Sequence, residues 1–375
     1  MKIINYCIYI FVHILIYNNN IKNFILFIFV VIFLFKTDEF IPVHKRLIIS
    51  VCTFITGGLF YLPIWFHYGF GLGWLDAARP VDQGILGLFA RFTYKTWMAF
   101  GFIQLFFIIY GNIWGCSDAI WHETGHRTAF KSKFWNDFFY YIASFMDNFE
   151  PIRWRYSHYH HHTYTQFNDP VDFEIHVKKP TDLIVFFSHY IPFSGFVFFK
   201  NSLQWETIKH AFGVTTDVMK VCIPENERWK CRLSAWSHLS IWIISIASSV
   251  YFQSWLPVLY VLLPNFYGKT LVMLMGLTQH AGLREDKRDH RYTTRTVYLN
   301  PVLSFLYWHM EYHVEHHMFP QVPSHNLPKL HAMIKDQLPP ARKGLIGAYK
   351  EIVPALIKQA KNPDYQIPLS VPSNA

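Results

Sequence analysis

Three short stretches hold an unusual density of imidazole. "WHETGHRTAF" places His122 and His126 four residues apart, and "RYSHYHHHTYT" sets His158, His161 and His162 at i, i+3 and i+4. "EYHVEHHMFP" repeats that second spacing with His313, His316 and His317. Such rings gain nothing by crowding for packing, and protonated rings repel one another. On a helix, residues three and four apart share one face, with Cβ atoms about 5–6 Å apart. Each stretch can therefore present two or three neutral nitrogens to one point, as a metal requires. "LTQH" adds His280 at the end of an apolar run. A buried ring there needs a partner, and a metal is the partner expected for it. Eight or nine donors exceed the capacity of one ion, so two metals are expected. Imidazole suits Zn, Cu, Fe or Ni, and spacing alone does not choose among them.

Other histidines read differently. His160 sits between ligands but on the wrong helix face, as a surface or supporting residue. His309 lies one turn before His313 on the ligand face and reads as support behind the ligands. His13, His44, His67, His176, His189, His210, His238, His290, His325 and His331 read as interfacial or surface residues. A metal-bound imidazole usually donates its other N–H to a carboxylate or carbonyl. Glu123, Asp169, Asp172, Glu285, Asp289, Glu311 and Glu315 are the acids near enough in sequence to serve, most of them solvated charge.

The elements that must position these rings are apolar. Of 375 residues, 52% are hydrophobic and 16% charged, too greasy a balance for an ordinary soluble chain. Segments 46–65, 96–116, 236–252 and 256–275 each approach the roughly 20 apolar residues that cross a bilayer. They form two close pairs, with Trp65, Trp97, Tyr110, Trp236 and Tyr251 near span ends, where aromatic rings favour the interface. Pro257 and Pro264 interrupt the last span. "NDFFYYIASFMDNF" and "DLIVFFSHYIPFSGFVFF" are too broken to span and read as interfacial or re-entrant helices. Two pairs put residues 117–232 and 279–375 on the same side. Arg127, Lys131, Arg153, Arg155, Arg228, Arg284, Lys287 and Arg288 make that side cytoplasmic. The expected fold is thus an all-α integral membrane protein: about four core spans in two pairs under a cytoplasmic helical cap that carries the histidine boxes.

Residues 1–36 stand apart, rich in Ile, Phe, Asn and Lys with no Gly, Ala or Pro, as an anchor or a stretch outside the folded protein. Residues 37–335 form the expected core domain. Residues 336–375 form a cytoplasmic tail, expected to fray after Lys361. Cys7, Cys52, Cys116, Cys222 and Cys231 make no CxxC pair, which argues against a thiolate metal site or a disulfide framework. The net charge of +9 comes without a dense basic stripe, and nucleic acid is not an expected partner.

The order of boxes, HxxxH, HxxHH, a pair of spans and HxxHH, resembles the membrane fatty acid desaturase and hydroxylase superfamily. "HETGHRTAF", "QHAGLRED" and "RTVYLNPVLSFLYWHMEYHVEHHMFPQVPSHNLPKLH" are similar to its bacterial-type members, over about residues 46–335. The resemblance implies a di-iron centre, dioxygen as co-substrate, a lipid or fatty acyl substrate in the membrane, and external electrons. By position it carries ligand roles onto His122, His126, His158, His161, His162, His313, His316 and His317, and onto His280 as the extra histidine. Stearoyl-CoA-type enzymes have an asparagine one turn before that histidine, and here the position is Gly276. No HPGG haem signature and no GxGxxG fingerprint appears, so a ferredoxin or b-type cytochrome is the expected donor. Desaturation and hydroxylation use the same boxes. A metal transporter is the alternative from another class, but it would place ligands mid-membrane, where these spans are nearly free of ionisable groups.

Overall fold

The computed structural model describes residues 107, 109–174, 177, 180, 182, 203–254, 256–264 and 269–372. Residues 1–36 and the first expected span lie outside these, as do most of the second span and nearly all of "DLIVFFSHYIPFSGFVFF". His13, His44, His67, His176 and His189 lie outside them too.

The described chain is mostly helical. In order come α1 (Ser117–Gly125), α2 (Lys133–Asp147), α3 (Pro151–Thr163), α4 (Leu203–Ala211), α5 (Asp217–Cys222) and α6 (Arg228–Tyr251). Then follow α7 (Thr270–His280), α8 (His290–Thr293), β1 (Val297–Tyr298), α9 (Pro301–Leu306), α10 (His313–Met318), α11 (Leu327–Ile334), β2 (Arg342–Lys343) and α12 (Gly344–Lys361). The two strands pair in parallel, Val297 with Arg342 and Tyr298 with Lys343.

Among the described residues one helix is long and apolar enough to cross a membrane, Glu225–Tyr251, which contains most of the expected third span. The expected fourth span is not one continuous helix. A π-helical turn occupies Val258–Leu262, and α7 starts only at Thr270. Proline explains the interruption, because it has no N–H to donate and its ring clashes with the preceding turn. The first pair of expected spans falls largely outside the described residues, so the layout of four spans in two pairs is not tested by them.

Two compact units divide the chain. One comprises Met1–Ala90, Ile191–Trp205 and Ser240–Leu263, and its described part is mainly the distal half of α6 and the π-helical turn. The other comprises Arg91–Tyr190, Glu206–Leu239 and Pro264–Ala375, and holds every box histidine.

Local chemistry fixes the box helices of this larger unit. α3 begins with Pro151 at its first position, where a missing N–H costs nothing. The Glu150 carboxylate before it accepts from the N–H groups of Ile152 and Arg153 at 2.9 and 3.0 Å. α2 ends at Asn148, in the left-handed region at φ 59°. α1 and α2 approach closely at Gly125, where a Cβ would stand 3.2 Å from the buried Tyr140 ring. The glycine inside "HETGH" is thus a packing requirement.

Two cores set the box helices in register. Ala119 of α1, Val272 and Met275 of α7, Tyr307, Met310 and Leu327 form one. Leu277 and Ala281, Val297, and Ala348, Ile352 and Leu356 of α12 form another, so α12 is packed on α7. The tail after Lys361 is docked as well, contrary to the expectation of fraying. Ile367 is buried with Leu283 and Ala355, and its N–H donates to the Gly282 carbonyl at 3.0 Å.

Candidate metal centre

The nine expected ligands converge, and they do so as two sets. His122, His126, His158, His162 and His316 each bring one ring nitrogen into a group whose members all lie within 4.8 Å of one another. His161, His280, His313 and His317 form a second such group. The helical boxes are split between them. On α3 the i, i+4 pair His158 and His162 joins the five-histidine set, and His161 turns to the other. On α10 the i, i+4 pair His313 and His317 joins the four-histidine set, and His316 crosses back. α1 contributes only to the first set and α7 only to the second.

The second ring nitrogens identify which atoms face inward. His280 Nδ1 lies 2.9 Å from the Thr293 carbonyl, which can only accept, so Nδ1 carries the proton and Nε2 is bare. Thr165 donates its hydroxyl to the His161 carbonyl at 2.7 Å and therefore accepts from His317 Nδ1 at 3.1 Å, leaving His317 Nε2 bare. His161 Nδ1 donates to Asp172 at 2.7 Å, and His158 Nδ1 to Glu174 at 2.8 Å. Asp172 is fixed in turn by the Gln166 N–H at 2.8 Å, and the Gln166 amide donates to the carbonyls of His280 and Thr293.

Those bare nitrogens point at one another. In the four-histidine set His313 Nε2 is 3.0 Å from both His280 Nε2 and His317 Nε2. His313 has at most one proton to offer there, so at most one of the two contacts is a full hydrogen bond. In the five-histidine set the Nε2 contacts His126–His158, His158–His162 and His162–His316 are 3.0, 3.2 and 3.2 Å. Both nitrogens of His122, and Nδ1 of His162, His313 and His316, are buried with no hydrogen-bond partner among the described residues. Converging lone pairs in a dry site are costly unless a cation lies between them. The donor set is all imidazole, which suits a first-row transition metal.

Electrostatics fits that reading. Burial, then the neighbouring rings, holds His122, His126, His162, His313, His316 and His317 well below the usual imidazole range. The same causes bring His280 down to about 3. These rings are neutral and ready to ligate at physiological pH. His161 departs from the pattern. Burial opposes its charge, but the Asp172 and Glu174 carboxylates outweigh that and raise its pKa. Carboxylates that hold a proton on His161 would equally favour a metal cation at its Nε2.

Among the acids singled out in the sequence, Asp172 alone is hydrogen-bonded to a box ring among the described residues. Glu123 accepts from the Ser324 N–H at 3.1 Å, and Glu285 from Asn168 at 2.9 Å. Asp289 caps α8 and pairs with Arg291. Glu311 takes the Ser304 hydroxyl, and Glu315 takes Thr296 and His331. Glu174 was not among the expected acids, because it sits in a loop where no helical spacing points to it. His160 donates its Nε2–H to the Val171 carbonyl, 3.1 Å away, and stands outside both groups. His309 is also outside them, held by Ser304 at 2.8 Å.

Three histidines expected at the surface are buried instead. His210 meets Thr216 at 2.9 Å, His238 donates to the Ser234 carbonyl at 3.2 Å, and His331 bridges Tyr298 and Glu315. His290 lies tilted against the His317 ring, centroids 5.1 Å apart, without joining the set. Gly276 leaves room that Tyr307 fills. Its hydroxyl lies 3.7 Å from where a Cβ would be and accepts from the Gln279 amide at 2.7 Å.

The pattern of the fatty acid desaturase family matches residues 95–347. The chain belongs to that family. Its helices α1, α3, α7 and α10, with all nine converging histidines, fall inside the matched region. A relative from Oryza sativa subsp. japonica, described as sphingolipid delta(4)-desaturase DES1-like, is 32% identical over 96 residues. That stretch spans 25% of this chain and 27% of the relative.

Proposed function

We propose that this desaturase-family chain is a dioxygen-dependent di-iron oxidoreductase that introduces a double bond into the fatty acyl chain of a lipid. It works as a multi-pass membrane protein with its centre on the cytoplasmic face, and draws electrons from a ferredoxin or b-type cytochrome. One observation carries the reading: nine imidazoles, seven buried and two half-buried, converge as two adjacent sets of ring nitrogens.

His122, His126, His158, His162 and His316 would hold one iron, and His161, His280, His313 and His317 the other. When bound, the irons supply the dioxygen chemistry that an unactivated methylene requires, since no side chain can remove its proton. The protein's own contribution is position and dryness. Burial keeps His122, His126, His162, His280, His313, His316 and His317 neutral, so these rings ligate without first losing a proton. Asp172, Glu174, Thr165 and the Thr293 carbonyl fix ring orientation through Nδ1. Ala119, one turn before His122, and Val272 and Met275 on α7 supply apolar surface beside the ligand helices and exclude water.

The test is lipid profiling of cells with and without the gene, beside metal analysis of the purified chain. A new unsaturated chain and two irons per chain are expected. A new hydroxylated chain would select the hydroxylase alternative. An unchanged lipid profile from an iron-loaded protein supplied with a reductant would overturn the enzymatic assignment.

A further inference from the structure

Helix α12 is apolar on two opposite faces. One face, Ala348, Ile352, Ala355 and Leu356, is buried against α7 and its neighbours. A core helix would be expected to turn charge outward. α12 instead turns out Ile346, Val353 and Ile357, which are 76%, 44% and 51% exposed. With Lys350 they follow an i, i+4, i+7, i+11 progression, which is one stripe along the helix. Lys350, Lys358 and Lys361 of the helix, and Lys343 just before it, are all exposed on or beside this stripe. Its single acid, Glu351, is already paired with Arg295 and Arg342. The outward face is therefore apolar and cationic without a free carboxylate.

A groove of about 530 Å³ runs beside this stripe, lined by Leu274, Leu345, Ile346, Tyr349, Lys350 and Val353. Among the described residues Lys350 is its only charged wall. Tyr349 locks the groove's two sides together by donating its hydroxyl to the Leu274 carbonyl at 2.9 Å. Leu274 belongs to α7, the helix that ends at His280.

We propose that α12 lies in the headgroup region of an anionic leaflet, and that the groove takes one acyl chain of an anionic phospholipid whose phosphate sits on Lys350. An apolar stripe edged by lysines is the pattern that binds such a surface, with depth from the apolar residues and attraction from the cations. A protein partner matched to four lysines would need acids spread through its apolar contact, whereas a bilayer offers phosphate and hydrocarbon at adjacent depths. The groove then puts a lipid against the helix that delivers one ligand of the four-histidine set. The inference goes beyond the desaturase reading and shares only its membrane location.

The full-length chain, carrying Val353→p-benzoylphenylalanine or Ile357→p-benzoylphenylalanine, is reconstituted in phosphatidylcholine vesicles with one-fifth phosphatidylglycerol and irradiated. Mass spectrometry reads the adducts. Phospholipid adducts at both positions are expected, with phosphatidylglycerol enriched at least threefold over its share. Lys350→Glu should abolish that enrichment while adducts to phosphatidylcholine persist. The probe at Lys287, in the exposed charged segment before α8, should capture no lipid. Absence of lipid adducts at 353 and 357, or cross-links to a second chain instead, would overturn the proposal. Cross-linking reports position and not turnover, so an inactive protein would still give the adducts if the surface is right.

Discussion

The two histidine sets draw on four ligand helices, with α3 and α10 serving both, yet they are built differently. In the four-histidine set, three of the four rings are fixed from behind: His161 by Asp172, His280 by the Thr293 carbonyl, His317 by Thr165. In the five-histidine set, among the described residues, a comparable acceptor is seen only behind His158, as Glu174. His122, His162 and His316 have no polar partner behind them among the described residues and are held by packing and by one another. A ring with a hydrogen-bonded Nδ1 has a set tautomer and a set direction. A ring held by packing alone keeps its direction only while its neighbours and the metal stay. The smaller set would thus be organised before a metal binds, and the larger one would complete itself around its ion.

Removing a ligand gives the largest effect expected from this contrast. His316→Ala and His161→Ala should each lower turnover by at least about 100-fold, beyond the 10–100-fold of changes behind a ligand. Iron per chain should fall by one or more, counted by inductively coupled plasma mass spectrometry. His280→Gln should resemble His161→Ala. Full iron occupancy and product yield in His280→Gln would leave the second set with three histidines.

Changes behind the rings should separate the sets more sharply. Asp172→Ala removes the acceptor behind His161 and also the anchor of Gln166. It should weaken one of the two metal affinities about 10–100-fold, read by competition with a chelator. Glu174→Gln keeps a hydrogen-bond acceptor for His158 and should cost less, below about tenfold. Equal losses from the two would erase the proposed difference in organisation.

Acid provides a third comparison. His161 has its pKa raised by Asp172 and Glu174, so the metal-free protein binds a proton there that a metal must displace. Below that raised pKa, affinity at the four-histidine set should fall about tenfold per pH unit. His122, His126, His162 and His316 are held well below the usual range, so near neutral pH they have no proton to release. Titrating the metal-free chain with Co(II) between pH 6 and 8, while recording proton release, should show a steeper pH dependence at the four-histidine set than at the other. Two equal slopes would contradict the assignment.

The smallest effect expected is structural. Gly125→Ala would place a Cβ 3.2 Å from the Tyr140 ring and push α1 from α2. Overpacking of this kind costs about 1–3 kcal/mol, seen as a lower midpoint in thermal unfolding. The five-histidine set, which takes two ligands from α1, should lose metal affinity more than the other.

Sequence and structure divide the account along a physical line. Helical phase is a local property, so the spacing within "HETGH", "HYHHH" and "HVEHH" already determined that each box offers its rings from one helix face. Mostly helical structure followed from the same periodicities, and the family from the order of the boxes. Where one helix face meets another is not local. Two rings a turn apart can serve one ion or two, and only the crossing of α1, α3, α7 and α10 sends His161 and His316 to opposite sets. Glu174 escaped notice because loop residues reach a site through the path of the chain and not through any period. Surface rank was misjudged for His210, His238 and His331 for a related reason. A histidine is at home in water or in a core that satisfies its nitrogens, and the satisfying groups, Thr216, the Ser234 carbonyl and Glu315, come from the fold. The prolines marked the break in the last apolar run, but only the tertiary structure decided that α7 would start afresh at Thr270 and end with His280 in the second set.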